Sequence, residues 1–227
     1  MARKELQMSR MWQYFVDATV KIIEEEGIEA VTVRKVAELA GYTSSTIYNY
    51  FDELSHLVFF ASMRFLESYT QELSYYMKHG KNSLEKYLKT WECFCKHSYS
   101  KPQIYQALFI SDLGSHPEEL LRKYYDMYNQ DLTDLTEDTK SLIFETNISK
   151  RSHFVLKKAA EEGLINSNNL EEINEIGILI WKGMLTTILS NRRSYTPEEA
   201  THLTMKYIKQ ITLNSFNFDP SIADLKV

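Results

Sequence analysis

Cysteine, glycine and proline are all scarce in this chain, and each scarcity excludes something. Only 7 of its 227 residues are glycine and 4 are proline, and long stretches lack both. Such a chain has few breaks to offer, which suits an all-helical protein. The two cysteines, Cys93 and Cys95, stand two apart. On a helix they point to different sides and cannot bridge. His97 completes a Cys-x-Cys-x-His string, but in a continuous helix only Cys93 and His97 share a face. A closed metal site wants four convergent ligands, so the expectation is buried reduced thiols, no metal and no cofactor.

Positive charge is also short. The net charge is −5, which argues against indiscriminate binding to nucleic acid but allows a local basic footprint. No long apolar run is present. The most apolar stretch, Ile176 to Leu189, is interrupted by Lys182 and Gly183 and is too short for a membrane span. The opening MARKELQMSRMW has basic residues without the apolar core of a secretory signal, so a soluble cytoplasmic protein with no membrane partner is expected. Catalytic strings are missing too: there is no glycine-rich phosphate loop, HExxH or GxSxG. The histidines, His56, His79, His97, His116, His153 and His202, are scattered, and no enzyme is expected.

What is present is organised around residues 32–57, TVRKVAELAGYTSSTIYNYFDELSHL. Val33, Val36, Ala37 and Ala40 mark one face of a short helix. Thr32 can cap it, and Gly41 stands where a helix stop needs positive φ. Thr43 offers a second cap. Ile47 and Phe51, four apart, would pack a helix over Ser45 to Phe51 back onto the first. This is the layout of a helix-turn-helix, whose second helix enters the DNA major groove. Upstream, Trp12, Phe15, Val16, Thr19, Ile22 and Ile23 form a helical stripe suited to packing on it. Six Lys and Arg face nine acids over residues 1–57, so placement of charge, not its total, must favour DNA.

GYTSSTIYNYF resembles the signature of the tetracycline-repressor (TetR) family of bacterial regulators. Gly41, Thr43, Ser45, Thr46, Ile47, Tyr48, Tyr50 and Phe51 fit the family pattern, and TVRKVAELAG fits the preceding helix. The resemblance implies an all-α fold, with a DNA-binding domain over residues 1–53, a helical effector-binding and dimerisation domain over 54–216, and a loose tail over 217–227. By resemblance Arg34 and Ser44 face base edges. Thr32, Thr46 and Tyr48 hold phosphates, and Thr43, Ser45 and Asn49 complete the DNA-facing set. The implied partners are double-stranded operator DNA, a small-molecule effector and a second copy of the chain.

Beyond residue 57 the reading is helical throughout. A long helix is expected from Leu54 to Lys78, then helices from Ser83, from Pro102 to near Gly114, from Pro117 to Leu135, over 140–162, from Asn169 and from Pro197. Aromatic residues crowd the middle, and Trp91, Cys95, Phe109 and Tyr128 are candidate walls of an effector pocket. The strip Ile176, Ile180, Met184 and Ile188 is widened by Leu179, Trp181 and Leu185, so its helix must be buried on more than one side. In the family the last two helices form the dimer interface, and the strip is assigned to it, a single-chain core being the alternative. The family places Lys near position 54; here Leu54 follows Asp52 and Glu53. The expected function is therefore a ligand-responsive repressor. A second reading stays open, an adaptor or co-activator that acts through protein contacts with weak or no DNA binding.

Overall fold

The computed structural model describes residues 2–114, 116–133, 135–145 and 147–214. The tail expected over 217–227 lies outside the described residues, as do the side chains of Arg3 and Lys4. Among the described residues there are helices and no strands, and the fold is all-α. In chain order the helices are α1 (Ala2–Glu26), α2 (Val33–Ala40), α3 (Ser44–Ile47), α4 (Leu54–Met63), α5 (Glu67–His79), α6 (Ser83–Ser100), α7 (Pro102–Phe109), α8 (Pro117–Met127), α9 (Glu137–Ile143), α10 (Ile148–Glu161), α11 (Leu170–Leu189) and α12 (Pro197–Asn214). They group into two compact units. One comprises residues 1–71 and 101–146, the other 72–100 and 147–227. The chain passes from the first to the second within α5.

The first unit is built on aromatic rings. The α1 stripe is buried as expected, with Trp12, Phe15, Val16, Thr19, Ile22 and Ile23 all inside. Thr19 is tolerated there because its hydroxyl donates to the Phe15 carbonyl at 2.8 Å. Trp12 stacks on Phe51 at 5.6 Å between centroids and meets Phe60 of α4 edge-on at 4.4 Å. Phe15 meets Phe51, Tyr50 and Tyr42. Each such pair adds ~0.5–1.5 kcal/mol beyond its area burial, so these rings dominate the unit's cohesion.

The helix expected from Leu54 to Lys78 is interrupted. After Met63, residues Arg64–Leu66 tighten into a 3-10 turn before α5 resumes. Neither glycine nor proline explains the break. Arg64 sits at it, with its guanidinium 3.2 Å from Asp131 and over the Tyr128 ring at 4.5 Å. A 3-10 stretch inside a helix marks strain or a hinge. Two other expected helices are also divided. The helix from Pro117 ends at Met127 and a 3-10 turn, Asn129–Leu132, follows. The stretch over 140–162 becomes α9 and α10, because Asn147 caps α10 by accepting from the Ser149 and Lys150 amides.

The second unit is pinned by buried hydrogen bonds between helices. Trp181 of α11 donates its indole N–H to Ser98 of α6 at 3.0 Å. Tyr99 of α6 meets Thr204 of α12 at 2.9 Å. Asn174 of α11 donates to the Ser149 carbonyl and hydroxyl at the start of α10. Ser83 gives its N–H and hydroxyl to Glu162 after α10, and Asn82 caps α6.

If the rings hold the first unit together, Phe51→Ala removes a 3%-exposed anchor that touches both α1 and α4. The expected loss in urea unfolding is ~3–5 kcal/mol. A loss below about 1 kcal/mol would assign the cohesion elsewhere.

Candidate nucleic-acid interface

The reading surface is assembled by two local stops. Thr32 adopts extended backbone and its hydroxyl accepts from the Lys35 amide at 3.2 Å, which starts α2. Gly41 at φ 77° ends it, a conformation without penalty only for glycine, and the Tyr42 amide closes the turn on the Ala37 carbonyl at 2.8 Å. Val36 and Ala37 then face inward. The second helix is shorter than expected: α3 covers Ser44–Ile47, and Tyr48–Tyr50 follow as a turn. Ser, Thr and Asn compete for backbone partners and shorten such a helix. Ile47 and Phe51 are nevertheless both buried, so the short element is anchored as the spacing demanded.

That anchoring leaves the other face outward. Thr32, Arg34, Thr43, Ser44, Ser45, Tyr48 and Asn49 are exposed and Thr46 is half-buried. Tyr48 is 55% exposed, unusual for so large a ring. Thr43 does not cap α3 with its side chain; its hydroxyl bonds to Ser45 and Thr46, each at 2.9 Å. The outcome is a patch of hydroxyls, a phenol and one guanidinium. Neutral donors suit phosphate oxygens, and an arginine can pair with guanine through two donors. Lys35 belongs less to this patch, since it pairs with Glu26 of α1 at 2.6 Å. Arg10 is exposed on α1.

The acids next to the patch take structural roles. Glu53 occupies the N-cap position of α4, and its carboxylate accepts from the Ser55 hydroxyl rather than from the backbone. Asp52 acts on Lys123 of α8. Burial pulls the Lys123 ammonium below its usual range and Asp52 opposes that pull. The same ammonium stands 5.8–6.0 Å from the centroids of Trp12, Phe51 and Phe60.

Tyr128, beyond the end of α8, also reaches this core: its ring lies 6.1 Å from Trp12 and 4.9 Å from Tyr124. Its buried hydroxyl has no hydrogen-bond partner among the described residues, and burial pushes it up to about 12. Tyr124 donates to Asp131 at 2.8 Å, and Arg64 completes the triangle. Burial raises Asp17 on α1, and the Arg64 charge counters it. Beside this network lies a cavity of about 260 Å³ lined by residues such as Met63, Leu66, Tyr124, Tyr125, Asp131 and Leu135. Phe109, at the end of α7, is half-buried against Tyr105.

The other candidate residues belong to the second unit. Trp91 and Cys95 are buried on α6, and Trp91 is close enough to Gly177 of α11 that a Cβ there would touch its ring at 3.4 Å. The Trp91 indole N–H and the Tyr87 and Ser152 hydroxyls are buried without a well-formed hydrogen bond. The four expected pocket residues are thus divided between the units, and none lines the 260 Å³ cavity or the larger groove along α12. On α11, Ile173, Gly177, Trp181 and Leu185 face the core of the unit. Ile176, Ile180, Met184 and Ile188 are half-exposed, and Leu179 is 67% exposed. One element that sequence reasoning missed is Glu72, whose carboxylate meets His97 at 2.8 Å; it lies on another helix, where no local pattern reaches.

Comparison with known proteins agrees with this geometry. Residues 15–58 match the model of the bacterial regulatory proteins of the tetR family. No curated protein sequence matches the chain. In fold it is similar to RolR in complex with resorcinol, at 13% identity and a TM-score of 0.60 over 92% of this chain and 90% of that one. It is also similar to FadR of Thermus thermophilus, a TetR-family repressor in complex with lauroyl-CoA, at 13% identity and 0.59 over 95% and 99%. A putative TetR-family regulator of Syntrophomonas wolfei gives 14% and 0.56 over 96% and 98%. No helix among the described residues is long and apolar enough to cross a membrane. Residues 15–58 thus carry a helix-turn-helix segment similar to that of the tetR family of bacterial regulatory proteins, on an all-α fold similar to that of solved TetR-family regulators.

Proposed function

We propose that the chain is a repressor that binds operator DNA as a homodimer and leaves it when a small molecule binds. The observation that carries the reading is the exposed set Thr32, Arg34, Thr43, Ser44, Ser45, Tyr48 and Asn49, displayed around a buried Ile47–Phe51 anchor. Residues 1–53 are proposed as the reading head and 54–216 as the effector and dimerisation part. The proposed dimer seam is Ile176, Ile180, Met184 and Ile188. It is supported by their partial exposure beside the exposed Leu179, since a single-chain core would have covered them.

Trp91, Cys95, Phe109 and Tyr128 are proposed to face the effector. The buried Tyr128 hydroxyl supports this, because it has no hydrogen-bond partner among the described residues and such a group is costly unless something polar meets it. A second candidate effector site is the 260 Å³ cavity of the first unit, which none of these four residues lines; it falls just under the ~300–1,000 Å³ of drug-sized ligand sites. That volume suits one ring with polar substituents, closer to the resorcinol of RolR than to the acyl-CoA of the Thermus FadR. Effector binding that moves Tyr128 or Lys123 acts directly on the Trp12–Phe51–Phe60 core under the reading surface. Its power is limited to its differential affinity for the two arrangements.

One observation favours the second reading, a regulator that works through protein contacts. The start of α4 carries Asp52, Glu53 and Leu54 where a phosphate is expected, and acids repel it. Under the repressor reading, Leu54→Lys tightens binding to every DNA sequence and steepens the salt dependence by about one phosphate contact per head. Titration at several salt concentrations reads the slope, and an unchanged slope places this helix end away from DNA.

Base reading is tested separately. Arg34→Ala is expected to cost ~1–3 kcal/mol on the operator and relax sequence preference, while Tyr48→Phe weakens all sequences alike. Equal losses for Arg34→Ala on operator and scrambled DNA would remove its base-reading role. For the seam, Ile180→Asp places unpaired charges in a desolvated interface. The expected product is a helical monomer without operator binding. A dimer surviving in light scattering would reject the seam, and global unfolding would return Ile180 to a single-chain core.

A further inference from the structure

The α5–α6 face of the second unit gathers three different donor types. Cys93 and His97 stand four apart on α6 and so share a face. Glu72 of α5 reaches the same point. The Cys93 sulfur, a His97 ring nitrogen and a Glu72 carboxylate oxygen all lie within 4.8 Å of one another. The Glu72 oxygen is 2.8 Å from His97 Nε2.

We propose that Glu72, Cys93 and His97 form a binding site for a single transition-metal dication of the zinc class. Its ligands are one thiolate, one imidazole and one carboxylate, with a fourth position left to water or an exchangeable donor. Zinc bonds of ~2.0–2.3 Å in a tetrahedron put these donor atoms about 3.3–3.5 Å apart, between the 2.8 Å of the Glu72–His97 pair and the 4.8 Å limit of the three. Small side-chain rotations suffice to close the site. The ligand set is borderline-soft, which selects Zn²⁺, Co²⁺ or Ni²⁺ over Mg²⁺ and Ca²⁺.

The surroundings fit that use. Tyr76 one turn along α5 donates to Glu72 Oε1 at 3.2 Å, the outer-shell contact that fixes a ligating carboxylate. Lys96 also pairs with Glu72, at 3.0 Å, and opposes a cation there. Its side chain is mostly exposed, so such a pair is worth little and the ammonium can turn to solvent. Cys93 is 1% exposed and gives its proton to solvent when the cation binds; the dication supplies the charge that makes the thiolate stable. Glu72 also lines the groove along α12, which opens the carboxylate end of the site to solvent. The motif singled out in the sequence thus lacked only a ligand from another helix.

The test uses the full chain, stripped with chelator, desalted under reducing conditions and titrated with Co²⁺ alone. The expected result is one Co²⁺ per chain with a thiolate-to-cobalt charge-transfer band and four-coordinate visible bands. Stoichiometric Zn²⁺ abolishes them and excess Mg²⁺ does not. Glu72→Gln and His97→Gln, both at half-exposed positions, weaken Co²⁺ binding by about tenfold or more while circular dichroism stays unchanged. Cys93→Ala loses the charge-transfer band. Absence of the band in the native chain, or undiminished affinity in both Glu72→Gln and His97→Gln, overturns the site. Those two variants decide the matter even if Cys93→Ala fails to fold.

Discussion

The contact on which the reading head depends is the ring cluster of Trp12, Phe51 and Phe60. Phe51 closes the helix-turn-helix, Trp12 belongs to α1 and Phe60 to α4, so three elements meet at one place. Everything the interface exposes is positioned by what this cluster buries. α3 is only four residues long and could not hold itself in water. Its orientation comes from Ile47 and Phe51 pressed into the core. The hydroxyls of Thr43 and Ser45 face outward because Ile47 and Phe51 face in.

The same cluster is where regulation can enter. Lys123 and Tyr128 approach it from α8 and the turn after it. The Arg64–Asp131–Tyr124 triangle lies beside the 3-10 turn that divides α4 from α5. A half-buried charged network next to a 3-10 break in a helix is suited to two discrete arrangements rather than gradual deformation. Small rearrangements at the 260 Å³ cavity therefore bear on the same side chains that hold the reading surface. On α11 the division of labour is plain: one stripe closes the core of its unit, and the opposite stripe is left half-covered.

The head was legible in the sequence because its instructions are local. Thr32 as cap, Gly41 as stop, and Ile47 with Phe51 as anchor all act within a few residues, and each does what its position implied. The stripe of α1 was legible for the same reason. The breaks at Arg64–Leu66 and after Met127 were not, because they coincide with a tertiary ion pair and a 3-10 turn instead of glycine or proline. The break before α10 could have been read, since Asn147 is a strong cap. Pocket residues were poorly legible: helical spacing marks a buried aromatic but does not say whether its far side meets protein or ligand. Glu72 was beyond reach, lying 25 residues from His97 on a separate helix.

The most direct measurement is selection of bound fragments from a random pool of duplex DNA by the purified chain at low salt, repeated with a cell metabolite extract. The account predicts enrichment of a sequence with two related half-sites about one helical turn apart, and loss of that enrichment when the extract holds the effector. A chain that enriches no sequence at low salt would contradict it and assign the exposed patch around Arg34 and Tyr48 to a protein partner instead.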